Sequence, residues 1–509
     1  MIDLATIPNE FRAPVQALQQ ENLRLVHMLK LKDEEIRLLN IRKYGPKAEK
    51  LSAEQLALLP GELLVTSQEI AQEADRPEPE KKLPRAKKPR GPHPGRESLP
   101  QHLERREVIV LCSPQDCSCS KCGQPRPVIG YDTREELGCE PAKFFVQVIK
   151  REKRGSHCQE EQGVATGAAP EQIVPKSKLS NAFIIEALAG KFQQHNPIYR
   201  QCAVLEEDHG ITLSRQTLND AILAAGQLLV PVVKAQAVEL LKGDYLQADE
   251  TTTPCQTEEK TGKNHSAFIW EFSQPGGPVV FDFQMGRGRA GPAEFLKGFK
   301  GKLQCDGYSA YDKLGPDIKY VACMAHIRRD FMDASKVAPK DPLPVEILYQ
   351  IGLLYAVERQ ARNEQLSAEA RLALRRQKSE PVMTFLRQRI LAIRQQINPG
   401  GTLAKACNYA LGQWSRMEEY LQDGQIEIDN NWCEGAMRPI ALGRKNWLHI
   451  GSKEAGPKIA AIMSIVETCR RLDIPLRRYL MDILPKLGGW PMNRVAELMP
   501  TAWKAAQKS

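Results

Sequence analysis

The chain has 509 residues, which at roughly 100 to 200 residues per domain implies about three or four domains and excludes a single small one. Its 42% apolar and 26% charged residues are ordinary globular usage and exclude wholesale disorder. Lys and Arg exceed Asp and Glu by 71 to 62, with the excess concentrated in one segment, which favours a polyanionic partner over an acidic small molecule. The most apolar long stretch, residues 222–241, contains Gln227, Pro231, Lys234 and Glu239, so no membrane-spanning helix is expected. The N-terminus lacks a basic region followed by an apolar run, which predicts a cytoplasmic protein. The 13 cysteines are scattered except between 112 and 122, unlike a disulfide framework.

In chain order, residues 15–39 carry a heptad pattern. Val15, Asn22, Leu29 and Ile36 occupy one core position, and Leu18, Leu25, Lys32 and Leu39 the other. Pro14 can open such a helix, and an Asn in the seam fixes register, so residues 1–50 are expected to form a coiled coil that makes a homodimer or higher assembly; the alternative is an amphipathic helix packed on its own protein, since Lys32 spoils one layer and Leu23, Val26 and Leu31 lie off the seam. Residues 51–105 form a Pro-rich basic linker. Within it Lys81, Lys82, Arg85, Lys87, Lys88, Arg90 and Arg96 follow one another without an acid, and Lys87, Lys88 and Arg90 are expected to contact phosphates.

Residues 106–165 hold Cys112, Cys117, Cys119 and Cys122, then His157 and Cys158. The spacing Cys119-x-x-Cys122-Gly123 suits a zinc knuckle, but Glu161 stands where a second Cys-x-x-Cys would end, so the other ligands would be drawn from Cys158, His157, Cys117 or Cys112, with Cys158 and His157 first among them. A degenerate finger that folds without metal fits the same residues. Residues 166–242 read as helical. Ser214 would cap a helix whose Arg215, Gln216 and Asn219 face outward, as in a helix-turn-helix, and plain helical packing explains the pattern equally well.

After Gly243 the period changes to strands at 245–252, 266–272 and 279–285, a helical piece at 292–299, strands at 302–305 and 319–323, and a helix from Ala325. That order is the order of an RNase H-like core, which sets its first and fourth strands side by side. Asp249 lies in the first and Asp306 ends the fourth. Glu434 is the third carboxylate, on a later helix that also carries Asn430 and Arg438. Glu250 points to the other strand face, and Asp429 lies off the helical face of Glu434. Three acids at one point repel unless cations sit between them, and two Mg²⁺ ions would also stabilise the oxygens of an in-line phosphodiester displacement. The catalytic core is expected at 243–341 and 426–470, split by an all-helical insertion at 342–425 and followed by a helical tail at 471–509. Arg438, Arg444 and Lys445 would hold the phosphate backbone of DNA.

The motifs Ala248-Asp249-Glu250-Thr251, Gln304-Cys305-Asp306-Gly307-Tyr308, Cys323-x-x-His326-Ile327-Arg328-Arg329-Asp330, Asp429-Asn430-Asn431-x-x-Glu434, Arg438-Pro439 and Gly443-Arg444-Lys445-Asn446-Trp447 resemble the transposases of the insertion sequence 66 family, members of the DDE group. The resemblance extends over nearly the whole chain. It implies a catalytic triad of Asp249, Asp306 and Glu434 that cuts transposon ends and joins them to target DNA, with Mg²⁺ as cofactor, nucleoid-associated action and small accessory proteins as partners. Cys323-x-x-His326 is similar to a signature with a supporting role in such enzymes. The chain departs from the family at Gly435, where an Arg is usual. A nuclease that cuts without joining and a non-catalytic DNA-binding regulator are the rival expectations.

Overall fold

The structure is a computed structural model that describes residues 8–44, 144–146, 149, 153–155, 164–166, 170–257, 264–447 and 449–507. It divides into two compact units, Met1–Ile70 with Ala168–Ser509, and Ala71–Gly167. In the latter, two three-residue strands, Lys153–Gly155 and Val164–Thr166, pair antiparallel. The expected zinc ligands Cys119, Cys122, His157 and Cys158 and the linker cations Lys87, Lys88 and Arg90 lie outside the described residues.

Helix α1, Asn9–Tyr44, begins five residues before the expected opening at Pro14. Proline near a helix start is tolerated because the first four N–H groups have no intrahelical partner, and Pro14 gives up only one bond beyond them. One stripe of α1 is half-buried against its own chain: Leu31 lies over Gly400, and Glu34 accepts the Thr402 N–H at 2.8 Å. The heptad residues Leu18, Leu25, Leu29, Ile36 and Leu39 are exposed, Leu29 by 66%.

Helices α2 (Asn181–Phe192), α3 (Ile198–His209) and α4 (Arg215–Leu240) follow. The chain leaves α3 through Gly210 at φ 63, a left-handed conformation that suits glycine, and Ser214 caps α4 by accepting the Gln216 N–H at 3.2 Å. Two helices joined by a short turn, with Ser214 as the cap, are thus present. Most of α4, however, packs against other helices, chiefly the later helix Ala455–Arg471. Leu218, Ile222, Leu229 and Val232 are completely buried, and a side chain at Gly226 would collide with the Lys458 carbonyl of a crossing helix at 2.8 Å. Among the described residues α4 alone is long and apolar enough to cross a membrane, and its apolar face is taken up by this core.

Five strands form the sheet: β1 (Tyr245–Cys255), β2 (His265–Ser273), β3 (Val279–Gln284), β4 (Gly301–Cys305) and β5 (Ile318–Ala322), in the order β3-β2-β1-β4-β5. The first three are antiparallel. β4 lies parallel to β1 and β5 parallel to β4. A short helix α5 (Ala290–Phe295) joins β3 to β4, and α6 (Met324–Val337) follows β5. The exposed edge of β3 is closed by helix α12 (Ala455–Arg471): Ser464 Oγ accepts the Phe281 N–H at 2.8 Å and Thr468 Oγ1 the Val279 N–H at 3.0 Å. Side-chain hydroxyls thus satisfy the ladder groups that an unpaired edge would leave open.

Residues 342–425 are helical throughout: α7 (Pro342–Asn363), α8 (Ala368–Gln396), α9 (Thr402–Gly412) and α10 (Trp414–Glu418), around a second hydrophobic cluster with α6. The chain returns to the sheet through α11 (Asn431–Trp447), α12, α13 (Leu476–Leu487) and α14 (Pro500–Ala506). The 166–242 helices and the C-terminal helices share one hydrophobic core with the sheet, so these stretches are layers of one body. All seven cysteines among the described residues are free and buried.

Candidate active site

Asp249 stands in the middle of β1, and its Oδ1 accepts the Glu250 N–H at 2.9 Å. Burial, then the charge of Glu250, push its carboxyl up to about 7, and Asp306 and Glu434 add to the rise. Asp306 and Glu434 thus lie within electrostatic reach of Asp249. Asp306 follows β4, the parallel neighbour of β1, and its Oδ1 accepts the Tyr308 N–H at 2.8 Å. Gly307, at φ 83, permits the sharp turn after Asp306, and a Cβ there would strike the Gln413 amide at 2.9 Å. The Asp306 carbonyl accepts the hydroxyl of Tyr409 from the helical insertion.

Glu434 lies in the first turn of α11. Its Oε1 is 3.8 Å from His326 Nε2 and 3.6 Å from Arg329 Nη2, both on α6, yet this buried oxygen has no hydrogen-bond partner. The segment that delivers α11 is held to the sheet at several points. Gln247 on β1 donates to the Asp429 carbonyl at 2.9 Å, Gln304 on β4 donates to the Glu427 carbonyl at 2.9 Å, and the Ile428 carbonyl accepts the Met324 N–H at 3.1 Å. Buried Cys323 accepts the Asn430 N–H at 3.4 Å, which gives the cysteine of Cys323-x-x-His326 a structural task beneath the site. Burial, then Arg329, push the His326 pKa down, against the pull of Glu434, Asp306 and Asp429.

A cleft of about 330 Å³ opens beside these acids, lined among others by Arg287, Asp306, Tyr308, His326, Arg329 and Tyr409. Among the described residues no three His, Cys, Asp or Glu side chains stand close enough together to enclose one ion. The donor chemistry still suits a hard divalent cation: three carboxylates from different elements, one of them with a buried oxygen that nothing in the protein satisfies. The neighbouring acids are otherwise engaged. Glu250 Oε1 accepts from Arg287 at 2.6 Å and its Oε2 from the Tyr311 hydroxyl at 2.7 Å, while Asp429 accepts the Asn431 N–H at 3.2 Å and its side-chain amide at 2.8 Å.

A model of the family described as Transposase IS66 matches residues 176–458, the stretch that holds the sheet, the insertion and all three acids. The chain belongs to the IS66 transposase family. A second model, described as the transposase C of IS166 homeodomain, matches residues 33–108, which span the end of α1 and the segment read as a basic linker. Three uncharacterized proteins of Sinorhizobium fredii are similar along most of their length. Protein y4hP is 30% identical over 441 residues, covering 81% of this chain and 78% of its own. Protein y4jD is 30% identical over 427 residues (80% and 82%), and y4qI 29% over 492 (92% and 88%).

Of the cations singled out in this IS66-family chain, Arg438 and Lys445 are exposed on α11, whereas Arg444 turns back to β1 and donates to Thr252, to its carbonyl and at 3.0 Å to its hydroxyl. Arg215 and Gln216 are exposed at the start of α4, some distance along the chain from the acids, and Gln216 donates to Asp220 at 2.7 Å. Sequence reasoning passed over Arg287, whose guanidinium lies 3.8 Å from the Tyr308 ring centroid, and over Arg329 and Tyr409. Arg329 has a signal in the basic pair after Cys323-x-x-His326. Tyr409 has none, because its approach to Asp306 depends on how the insertion folds back. Buried Glu271 of β2 was also missed. Burial pushes its carboxyl up to about 8 against the pull of Arg471.

Proposed function

We propose that this chain is a DNA transposase with an RNase H-like core, in which Asp249, Asp306 and Glu434 together hold divalent cations, Mg²⁺ in the cell, that serve the cutting of insertion-sequence ends and their joining to target DNA. The reading is supported by three carboxylates carried on separate elements: Asp306 and Glu434 each raise the Asp249 carboxyl, and Glu434 Oε1 is buried without a hydrogen-bond partner. Membership of the IS66 transposase family supports it.

Bound cations supply neutralisation of the three carboxylates and acidify the attacking hydroxyl. The protein's own groups do the rest. The Tyr308 N–H orients the Asp306 carboxylate, and His326 and Arg329 stand beside Glu434 on the cleft side. Arg287, Arg329 and the exposed Arg438 and Lys445 give the cleft and its rim positive charge for a phosphate strand. The first unit's exposed heptad stripe on α1 supports pairing of two copies, which would bring two DNA ends into one complex. The homeodomain match at 33–108, with Lys87, Lys88 and Arg90 inside it, supports an end-binding role for that region, and Cys119, Cys122, His157 and Cys158 remain the residues proposed to hold zinc. Action is proposed on chromosomal DNA in the cytoplasm, with small accessory proteins as further partners.

The test is strand joining. Purified protein, Mg²⁺ and pre-cleaved ends from the repeats flanking its gene are incubated with a supercoiled plasmid, for wild type and Asp249→Ala. Metal-dependent joined products from wild type alone are expected. Cleavage without joining would indicate a nuclease, and end binding with neither activity, in Mg²⁺ or Mn²⁺, a regulator.

A further inference from the structure

Glu271 has no part in the chemistry proposed above, and its surroundings give it a different one. It lies in β2, completely buried, directly opposite Asp249 in the β1–β2 register. Directly opposed residues of an antiparallel pair project to the same face with Cβ atoms about 4.5–5.5 Å apart. Cys433, the residue before Glu434, is also completely buried, and its thiol donates to Glu271 Oε2. From the other side the Arg471 guanidinium, at the end of α12, comes within 3.6 Å of Glu271 Oε1. That same guanidinium donates to the Trp432 carbonyl at 2.8 Å, in the first turn of α11, and to the Gln274 carbonyl at 3.3 Å, just beyond β2.

One buried acid and one buried cation therefore tie the strand of Asp249 to the first turn of the helix that carries Glu434. As a stabilising device this is a poor one. Glu271 sits between Trp270 and Phe272 in the strand, its Oε1 has no hydrogen bond, and an apolar residue would fill the place without desolvating a carboxyl. A buried polar group with an unsatisfied oxygen asks for a task other than stability.

We propose that Glu271, braced by Cys433 and Arg471, is a positioning residue that sets where Glu434 stands relative to Asp249. The proposal rests on the reading of Asp249, Asp306 and Glu434 as the reactive acids. It explains why α11, which reaches the sheet only after the long helical insertion, starts in a fixed place. The Gln247 and Gln304 contacts hold the approach to the helix, and Glu271 with Arg471 holds its first turn.

The full-length chain is compared as wild type, Glu271→Gln, Glu271→Ala, Cys433→Ser and Asp249→Ala. Amide hydrogen exchange at residues 431–435 is measured without metal or DNA, and kcat and KM for pre-cleaved ends are measured in the joining assay. In Glu271→Ala, exchange at 431–435 is expected to quicken by ~10-fold or more. Its kcat should fall by about 10²-fold, the scale of an ångström of misplacement, with KM for the ends within about twofold. Glu271→Gln, which keeps the shape and an acceptor, should restore exchange and most of kcat. A folded Glu271→Ala with wild-type exchange and kcat, a loss in KM alone, or no rescue by Glu271→Gln would each overturn the proposal. Should Glu271→Ala fail to fold, Glu271→Gln and Cys433→Ser are combined: coupling in kcat beyond about threefold supports the brace, and additive effects overturn it. Full activity in Glu271→Ala with loss in Asp249→Ala sinks only the brace, whereas joining that survives Asp249→Ala sinks the reading of the acids beneath it.

Discussion

In the helical insertion the guanidinium of Arg375 is completely buried, and each of its five N–H groups has an acceptor: both oxygens of Glu358 at 2.6 and 2.8 Å, and the carbonyls of Tyr420, Asp423 and Ile426 at 2.8 to 2.9 Å. In the cleft, by contrast, Glu434 Oε1 and His326 Nδ1 are buried without a partner, and the carboxyl of Asp249 is pushed up by its own neighbours. Burial alone would raise Glu358 too, but Arg375 and Arg371 outweigh it and hold its carboxyl below the ordinary value. Both regions desolvate charge. Every donor of the Arg375 guanidinium has its acceptor, which anchors the return path toward α11, whereas in the cleft a carboxylate oxygen and an imidazole nitrogen are buried without a hydrogen bond.

The largest effect should come from removing an acid. Asp249→Ala, Asp306→Ala and Glu434→Ala are each expected to lower the joining rate by ~10³-fold or more while changing Tm little, because relieved repulsion offsets the one backbone N–H bond lost at Asp249 and at Asp306, and Glu434 Oε1 has no hydrogen bond to lose. A fall in Tm comparable to that of a core variant would erase the contrast between the two regions. Next is Arg375→Ala, which leaves Glu358 with Arg371 alone, strands three carbonyls and should cost about 3–5 kcal/mol, read as a lower urea midpoint. Arg375→Lys should not restore it, since an ammonium offers three donors in place of five.

A smaller effect sharpens the comparison through pH. A carboxyl whose folded pKa is raised to about 7 from an ordinary 3.8 binds its proton more tightly when folded, so the contribution of Asp249 to stability declines as pH rises through that window. Cation binding competes with that proton. The rise in Tm on adding Mg²⁺ should therefore be greater at pH 8 than at pH 5.5, and equal shifts at the two values would separate the cation effect from Asp249. The smallest effect is expected at Gly435, where an added Cβ meets open space: Gly435→Ala should stabilise α11 by roughly 0.5–1 kcal/mol, seen as a slightly higher urea midpoint.

How much of this was legible in the sequence differs between the two regions. The strands were legible as short apolar runs bounded by turn residues, with Asp249 inside the first and Asp306 just after the fourth, at the tight turn of Gly307. The helix of Glu434 was legible from its local pattern. The route back to it was not, because Arg375 sits in a run of charged residues where nothing distinguishes the buried one from its solvated neighbours. The role of α4 was equally hidden: an apolar helix packed among other helices and one that presents a reading face to DNA share the same capping and periodicity, and only the burial of Ile222 and Leu229 separates them. Glu271 left a faint trace as a lone acid in Phe268-Ile269-Trp270-Glu271-Phe272, a strand otherwise apolar on both faces.

The most direct measurement of whether the three acids form one cation centre is calorimetric titration of Mn²⁺ into the wild-type chain, Asp249→Asn, Asp306→Asn and Glu434→Gln at pH 8. Saturable binding in wild type, weakened in all three variants by comparable factors, is the expected result. Binding that survives unchanged in any one of the three would contradict a shared centre.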